Sequence, residues 1–329
     1  MGASTRDAYG RALVELGARK PDLVVLEADV GKSTRSQWFH ESFPDRYIQL
    51  GVAEQNMIGI AAGLAAVGFV PYTNTLSIFL SQRALNQLYT VIAYPRLHVV
   101  MVGTHCGLQA GGDGPTHQAL NDLAILRSVP NLTILSPADA AEARAATLAA
   151  YDLHGPVYLR LGRSSVPDLF DQDLDFQVGV ATELRPGGDV TLVSTGSMTH
   201  QALQAADVLA EHSIQARVLH LGTVKPLDED AILCAAGETG LLVTLEEHSI
   251  IGGLGGAVAE LLSGCAPTRV LRVGIADTFA ESGHTEQLFE KYGLGVSAIV
   301  QTVQDGLERR SNPRHKGRRI TSPLRSAER

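Results

Sequence analysis

Short runs of apolar, often β-branched residues alternate with amphipathic stretches along nearly the whole chain. In the first half the runs are LVVLEAD (23–29), YIQLGV (47–52), FVPYTNT (69–75), LHVVMVG (97–103), LTILSP (132–137) and PVYLRL (156–161). Between them the spacing predicts helices over 5–19, 54–67, 79–93, 119–127 and 139–150, with Asp139 placed as an N-cap and Pro95 and Pro137 punctuating their neighbours. Strands that are apolar throughout, each followed by a helix, predict an α/β fold: a mostly parallel sheet covered on both faces. Ligands of such sheets gather at the carboxyl ends of the strands. The loops that fall there are 29–36, 53–55, 74–79 and 103–118.

From 162 to 188 the alternation loosens into acidic and proline-bearing sequence, then resumes. Strands are expected at 190–195, 215–221, 241–248 and 269–275, and helices at 199–212, 228–237, 254–263, 285–292 and 296–310. The expected organisation is a first α/β domain over 1–165, a linker over 166–188, a second α/β domain over 189–310 and a basic tail over 311–329. The tail, SNPRHKGRRITSPLRSAER, reads as a solvated, disordered segment, with a polyanion-binding arm as the other reading.

Composition narrows the class. With 329 residues, 45% of them apolar, and a net charge of −8, the chain can build two cores and carries no basic excess that would suit nucleic acid. Cys106, Cys234 and Cys265 lie far apart with no CxxC spacing, which fits a reducing compartment better than a disulfide frame or structural zinc. The N-terminal MGASTRDAYGRAL lacks a charged-then-apolar leader, and Arg6 stands where a myristoylation pattern needs Ser or Thr. No apolar run reaches the roughly 18 residues of a membrane span without a break. A cytoplasmic protein without a membrane partner is expected.

Two stretches carry candidate chemistry. In YIQLGVAEQNMIGIAAGLAAVG (47–68) a β-like run delivers one carboxylate, Glu54, to the head of a helix of apolar and very small residues. A carboxylate there sits at a rim, is paired, or is kept partly protonated for a purpose. The loop VGTHCGLQAGGDGPTHQ (102–118) sets Gly111, Gly112 and Gly114 around Asp113, with His105 and His117 on either side. Such backbone approaches a ligand closely, and histidines exchange protons near neutral pH; a tight surface loop with locally bonded histidines is the plain alternative. A separation of twelve positions between the histidines and no third clustered ligand disfavour zinc, and Cys106 lacks an orienting group for nucleophilic work. The glycine-rich STGS (194–197) and IIGGLGG (250–256) read as close-packed turns; neither forms a dinucleotide fingerprint.

GVAEQNMIGIAAGLA, TLSIF followed by RALNQ, THCGLQAGGDGPTHQ, LRSVPNLTILSPADAAE and EEHSIIGGLGGAVAE together resemble the C-terminal half of transketolases, most closely forms split into two polypeptides. The resemblance runs in order from Arg6 to residue 308. It implies a thiamine-diphosphate pyrimidine-binding domain followed by a transketolase C-terminal domain. The relatives use thiamine diphosphate and Mg²⁺ to move a two-carbon ketol unit from a ketose phosphate to an aldose. Glu54 matches the glutamate that bonds N1′ of the aminopyrimidine and promotes the imino tautomer that takes the thiazolium proton; an apolar setting raising its pKa would suit that role. His105 and His117 match substrate-contacting histidines, and Asp113 an aspartate that bonds a donor hydroxyl. Arg6, Ser33 and Arg163 match phosphate-contacting positions, and Asp29 an acid near the thiazolium. In the pyrimidine wall, Leu76 stands where most relatives have an aromatic and Phe79 keeps the second, so one side of the stack is expected to be aliphatic. Away from the resemblance, Arg6 reads as an exposed helix residue and Ser33 as a helix cap.

The resemblance also implies a missing half. Relatives bind Mg²⁺ and the diphosphate through a GDG motif and a downstream asparagine. Here the GDG at 112–114 belongs to the substrate loop, and 138–143 reads ADAAEA. No metal ligand is therefore assigned to this chain. A partner subunit carrying the diphosphate half is expected, in an α2β2 heterotetramer. The alternatives are the matching subunit of a 2-oxoacid dehydrogenase or of a deoxyxylulose-phosphate synthase-like enzyme, or an inactive regulatory partner.

Overall fold

The computed structural model describes residues 2–311. Its strands are β1 (Leu23–Glu27), β2 (Tyr47–Gln49), β3 (Val70–Leu76), β4 (Val100–Thr104), β5 (Thr133–Leu135), β6 (Val157–Arg160), β7 (Thr182–Arg185), β8 (Val190–Ser194), β9 (Ala216–His220), β10 (Thr223–Lys225), β11 (Leu241–Ser249) and β12 (Arg269–Ile275). They form a seven-stranded sheet in the order β10-β5-β6-β4-β3-β1-β2 and a five-stranded sheet in the order β12-β11-β8-β9-β7. All pairings are parallel except β10 with β5 and β7 with β9.

The continuous apolar strands are explained by cover on both faces. In β1, Leu23 and Val25 pack with Tyr9 and Leu13 of the Thr5–Arg19 helix and with Ala143 and Ala146 of the Ala140–Asp152 helix. Val24 and Leu26 point the other way, into a layer with Met57, Ile58 and Ala61 of the Glu54–Ala66 helix. This is the period-two alternation of a strand with both faces buried. Both helices of the first layer are capped, the second by the Asp139 expected there. Ser4 accepts from the Asp7 amide, and Asp139 accepts from the Glu142 amide while its other oxygen takes the Leu169 and Phe170 amides.

Because β1, β2, β3, β4 and β6 run parallel and nearly in register, their carboxyl ends share one edge. Glu27 lies opposite Gln49 and Asn74, Leu76 opposite Thr104, and Gly103 opposite Arg160. The segments holding Asp29, Glu54, Phe79, His105 and Arg163 all leave the sheet there.

Several sequence expectations need correction. The 166–188 segment contains a strand, β7, whose charged sequence TELR suits an exposed sheet edge. β10 leaves the second half of the chain and completes the first sheet beside β5, and the Ser136 amide donates to Gly222 O, so the two units are laced together. The single helix expected over 79–93 is instead two π-helical stretches, Phe79–Arg83 and Leu88–Ala93, flanking one short turn, Leu85–Gln87. The first of these π-turns ends at Arg83, and such turns are frequent near functional sites. The tail expected over 311–329 falls, from residue 312 on, outside the described residues.

Candidate active site

Glu54 is the first residue of its helix, and its side chain is only 2% exposed. Arg83 Nη1 donates to both carboxylate oxygens at 2.8 Å. Of the three states the sequence left open for this carboxylate, the structure shows the paired one. The Arg83 guanidinium lies 4.3 Å over the Phe79 ring, and Phe79 meets the His117 ring edge-on at 5.2 Å between centroids. Leu76, at the end of β3, packs with Ile78, Ala119 and Phe79 in a small apolar cluster. A carboxylate, a guanidinium, an aromatic face and an imidazole therefore follow one another along one wall. Arg83 is absent from the sequence-derived candidates; the RALNQ run that contains it enters only as part of the resemblance.

His105 directly follows β4 at φ +57° and is buried. Its Nδ1 lies 2.9 Å from Thr104 Oγ1, and its Nε2 lies 3.3 Å from Arg6 Nη1. Arginine only donates, so Nε2 is the acceptor and the ring proton is assigned to Nδ1. Burial, then the charges of Arg6, Arg163 and Arg35 and the neighbouring His117, push its pKa down to about 3. His105 is a neutral imidazole at pH 7. Arg6 also donates to Ser33 O at 2.9 Å, which brings Ser33 beside it. Burial, helped by the Arg35 and Arg163 charges against that of Asp7, lowers Arg6 to about 10, and its Nε is buried without a hydrogen-bond partner. Asp7 occupies Arg35, which leaves Arg6 and the exposed, Asp113-paired Arg163 as cations placed to receive an anion.

Arg163 Nη1 lies 3.4 Å from Asp113 Oδ2 and 3.3 Å from Ala110 O. Both charged side chains are nearly half exposed, at 44% and 49%. Gly114 needs its φ of +79°, and a Cβ there would lie 2.5 Å from Ser282 Oγ. Cys106, next to His105, is buried, and burial pushes its thiol up to about 12, which removes it as a nucleophile.

Asp29 stands apart. At φ +62° it leaves β1, and its amide donates to Glu27 Oε2 at 2.9 Å and Gln49 Oε1 at 3.1 Å. It borders an open cavity of about 520 Å³ with Glu27, Lys32, His40, Tyr47 and Gln49, which none of the other sequence-derived candidates line. Burial raises the Glu27 carboxyl against the hydrogen bonds from Val30, Gln49 and Asp29. Among the described residues no three His, Cys, Asp or Glu side chains are gathered as a metal site, and no helix is long and apolar enough to cross a membrane.

Comparison with known proteins places the chain. The family profile for the transketolase pyrimidine binding domain matches residues 1–168, and that for the transketolase C-terminal domain matches 179–299. A 6-deoxy-6-sulfo-D-fructose transketolase subunit from Clostridium sp. (strain MSTE9) is 42% identical over 308 residues, covering 93% of this chain and 95% of its own length. One subunit of the apulose-4-phosphate transketolase of Phocaeicola vulgatus is 37% identical over 299 residues, covering 91% and 96%. A solved split gene transketolase, described as an inactive beta4 tetramer, superposes with a TM-score of 0.86 at 45% identity and covers 94% of this chain and 99% of its own. Two domains in this order, matched end to end by separate subunits, show that the chain belongs to the transketolase family, in the form of its C-terminal subunit.

Proposed function

We propose that the chain is the pyrimidine-side half of a two-chain, thiamine-diphosphate-dependent transketolase. It would transfer a ketol unit from a ketose phosphate, or a related modified sugar, to an aldose once a diphosphate-binding subunit joins it. The observation that carries this reading is Glu54: a buried carboxylate at a helix head, next to an aromatic face and a strip of histidine and arginine. That set fits an aminopyrimidine, which needs a carboxylate acceptor for a ring nitrogen and an apolar wall for its faces. Glu54 and Arg83 would hold the ring edge, with Phe79 and the Leu76 cluster beside it. Thiamine diphosphate, when bound, supplies the nucleophilic thiazolium carbon that carries the two-carbon unit.

The chain's own residues do the rest. Glu54 would share a proton with the ring nitrogen, its carboxylate oriented by the two hydrogen bonds from Arg83. His105, neutral and with Nδ1–H held by Thr104, can exchange its Arg6 contact for a substrate hydroxyl at Nε2. His117, whose Nδ1 lies 2.9 Å from Thr116 Oγ1, presents Nε2 in the same way. Asp113 would bond a donor hydroxyl, Arg6 and Arg163 would take the sugar's anionic end, and Asp29 would face the thiazolium side. Mg²⁺ and its ligands belong to the partner, and the assembly is α2β2 in the cytoplasm. Val52, Val67, Phe69, Tyr89 and Tyr94 are exposed around the helix that Glu54 heads, and Gly59 and Gly63 open onto free space. A face this apolar suits a permanent subunit contact. The description of a related β-only tetramer as inactive is consistent with a required partner.

Reconstitution tests the reading. The chain, an N-terminal transketolase subunit, Mg²⁺ and thiamine diphosphate are incubated with a ketose phosphate and an aldose acceptor. Transfer should appear only in the full mixture and should fall by roughly 10²–10⁴-fold in Glu54→Ala. Activity of the chain alone, or full activity of Glu54→Ala, would refute it.

A further inference from the structure

The exposed Arg163–Asp113 pair cannot fix its own position, because a surface ion pair of this kind contributes only about 0.2–1 kcal/mol. What holds both residues lies behind them, in the second domain. Glu247, buried on β11, accepts from the Gln109 amide at 3.1 Å, from Gln109 Nε2 at 2.7 Å and from Ser197 Oγ at 2.6 Å. Gln109 Oε1 in turn accepts from the Ser164 amide at 2.9 Å. One carboxylate and one glutamine thus hold the segment that ends at Asp113 and the segment that carries Arg163.

The packing leaves no slack. A Cβ on Gly107 would lie 2.4 Å from Glu247 Oε1, and one on Gly162 would lie 2.4 Å from Gln109 Oε1. Glu247 is itself held by Arg160, whose Nη2 donates to its backbone oxygen at 2.9 Å. A second brace comes from the same domain, where Gln118 Nε2 donates to Glu281 O at 2.9 Å. A buried carboxylate is a costly way to fill space unless its donors are the purpose.

We propose that Glu247 is a positioning residue for the sugar substrate: acting through Gln109, it sets the spacing of Asp113 and Arg163 and hence the affinity for the donor. The inference rests on the ketol-transfer reading above, and it makes the second domain the back wall of the substrate loop.

The test uses the reconstituted two-chain enzyme with Glu247→Ala, Glu247→Gln and Gln109→Ala. Loss of geometry that serves binding in both ground and transition states raises KM and leaves kcat. Donor KM should therefore rise about tenfold in Glu247→Ala and Gln109→Ala, with kcat within about threefold. Glu247→Gln keeps an acceptor for the Gln109 amide but turns an –NH₂ donor toward Gln109 Nε2, so its KM should fall between those of wild type and Glu247→Ala. In the chain by itself, Glu247→Ala should speed amide exchange about tenfold or more at 107–114 and 162–164 while leaving the Glu54–Ala66 helix unchanged. If Glu247→Ala exchanges fast everywhere, Gln109→Ala carries the kinetic test. An unchanged donor KM in Gln109→Ala, or no faster loop exchange in either alanine variant, overturns the proposal. A wild-type pair that transfers no ketol unit overturns the functional reading instead, and the exchange result still judges Glu247.

Discussion

Replacing Arg160 by methionine should destabilise the chain by about 3–5 kcal/mol, the usual cost of breaking a buried ion pair by removing one partner. Its side chain is 3% exposed and that of Asp122 is 0% exposed. The guanidinium meets the carboxylate twice, Nε to Oδ2 at 2.7 Å and Nη2 to Oδ1 at 3.2 Å, while Tyr158 Oη donates to Oδ2 at 2.8 Å. Methionine leaves Asp122 buried with one hydroxyl and with His248 at 4.0 Å. The double variant Arg160→Met, Asp122→Leu removes both charges and should recover most of the loss, since replacing the whole pair is often neutral. The assay is urea unfolding followed by circular dichroism, at one protein concentration so that association stays fixed. The pH dependence is a second, independent check. Burial alone would raise Asp122, but the charge and hydrogen bonds of Arg160, with His248 and Tyr158, hold it below the usual carboxylate range. Its folded value is thus depressed, so its stabilisation is present above the unfolded value of about 3.9 and lost as pH falls through the folded one. Without Arg160 burial dominates and the sign reverses: the variant should recover stability as pH falls from 7 toward 4. A loss under about 1 kcal/mol, or a variant with the wild-type pH profile, would show that this pair is not the anchor its geometry suggests.

The other expectations concern the site edge. Arg83→Met should leave the buried Glu54 carboxylate without either of its hydrogen bonds and destabilise the chain by about 1–3 kcal/mol in urea unfolding; an unchanged midpoint would mean the pair is incidental. Val67→Glu puts a charge on an exposed apolar position, so the chain's own melting point should hold while partner association weakens by at least about tenfold in sedimentation velocity. Tight association of that variant would move the subunit contact elsewhere. His105, folded at about 3, has a depressed value against about 6.5 unfolded, so its stabilisation is full above pH 6.5 and is lost as pH falls toward 3. His105→Asn should flatten that part of the stability profile, and the enzyme's pH–rate curve should show no His105 inflection between pH 5 and 8.

The first sheet was legible because its strands are apolar on both faces and its helices announce their ends, as with Asp139 and the Glu142 amide. What stayed hidden depended on partners far away in the chain. β10 is three residues long and acquires strand geometry only against Ile134 and Leu135, some ninety positions earlier. β7 looks like linker because an edge strand is allowed to be polar, and TELR is. The π-turns at Phe79–Arg83 and Leu88–Ala93 keep the apolar spacing of a helix closely enough that periodicity cannot tell them apart.

The site divides along the same line, and Arg83 shows why. Glu54 could be singled out because a lone acid before an apolar, glycine-rich helix is chemically out of place. An arginine in an amphipathic stretch is not: by pattern Arg83 is a solvated helix residue, and at 46% exposure it still half is. Its role arises only when the loop after β3 turns it back on the Glu54–Ala66 helix, across 29 positions. Glu247 was masked in the opposite way. In LLVTLEEH the acids end a strand that is otherwise apolar, and a strand end passes for a solvent boundary. Yet Glu246 and Glu247 are both buried, the first taking the Leu254 and Gly255 amides at the head of the Leu254–Cys265 helix, the second taking Gln109. Two adjacent acids on a strand point to opposite faces, so a pair closing an apolar run signals that each face ends at a donor rather than at water. Here one donor set is a helix N-terminus and the other is the loop that would hold the sugar.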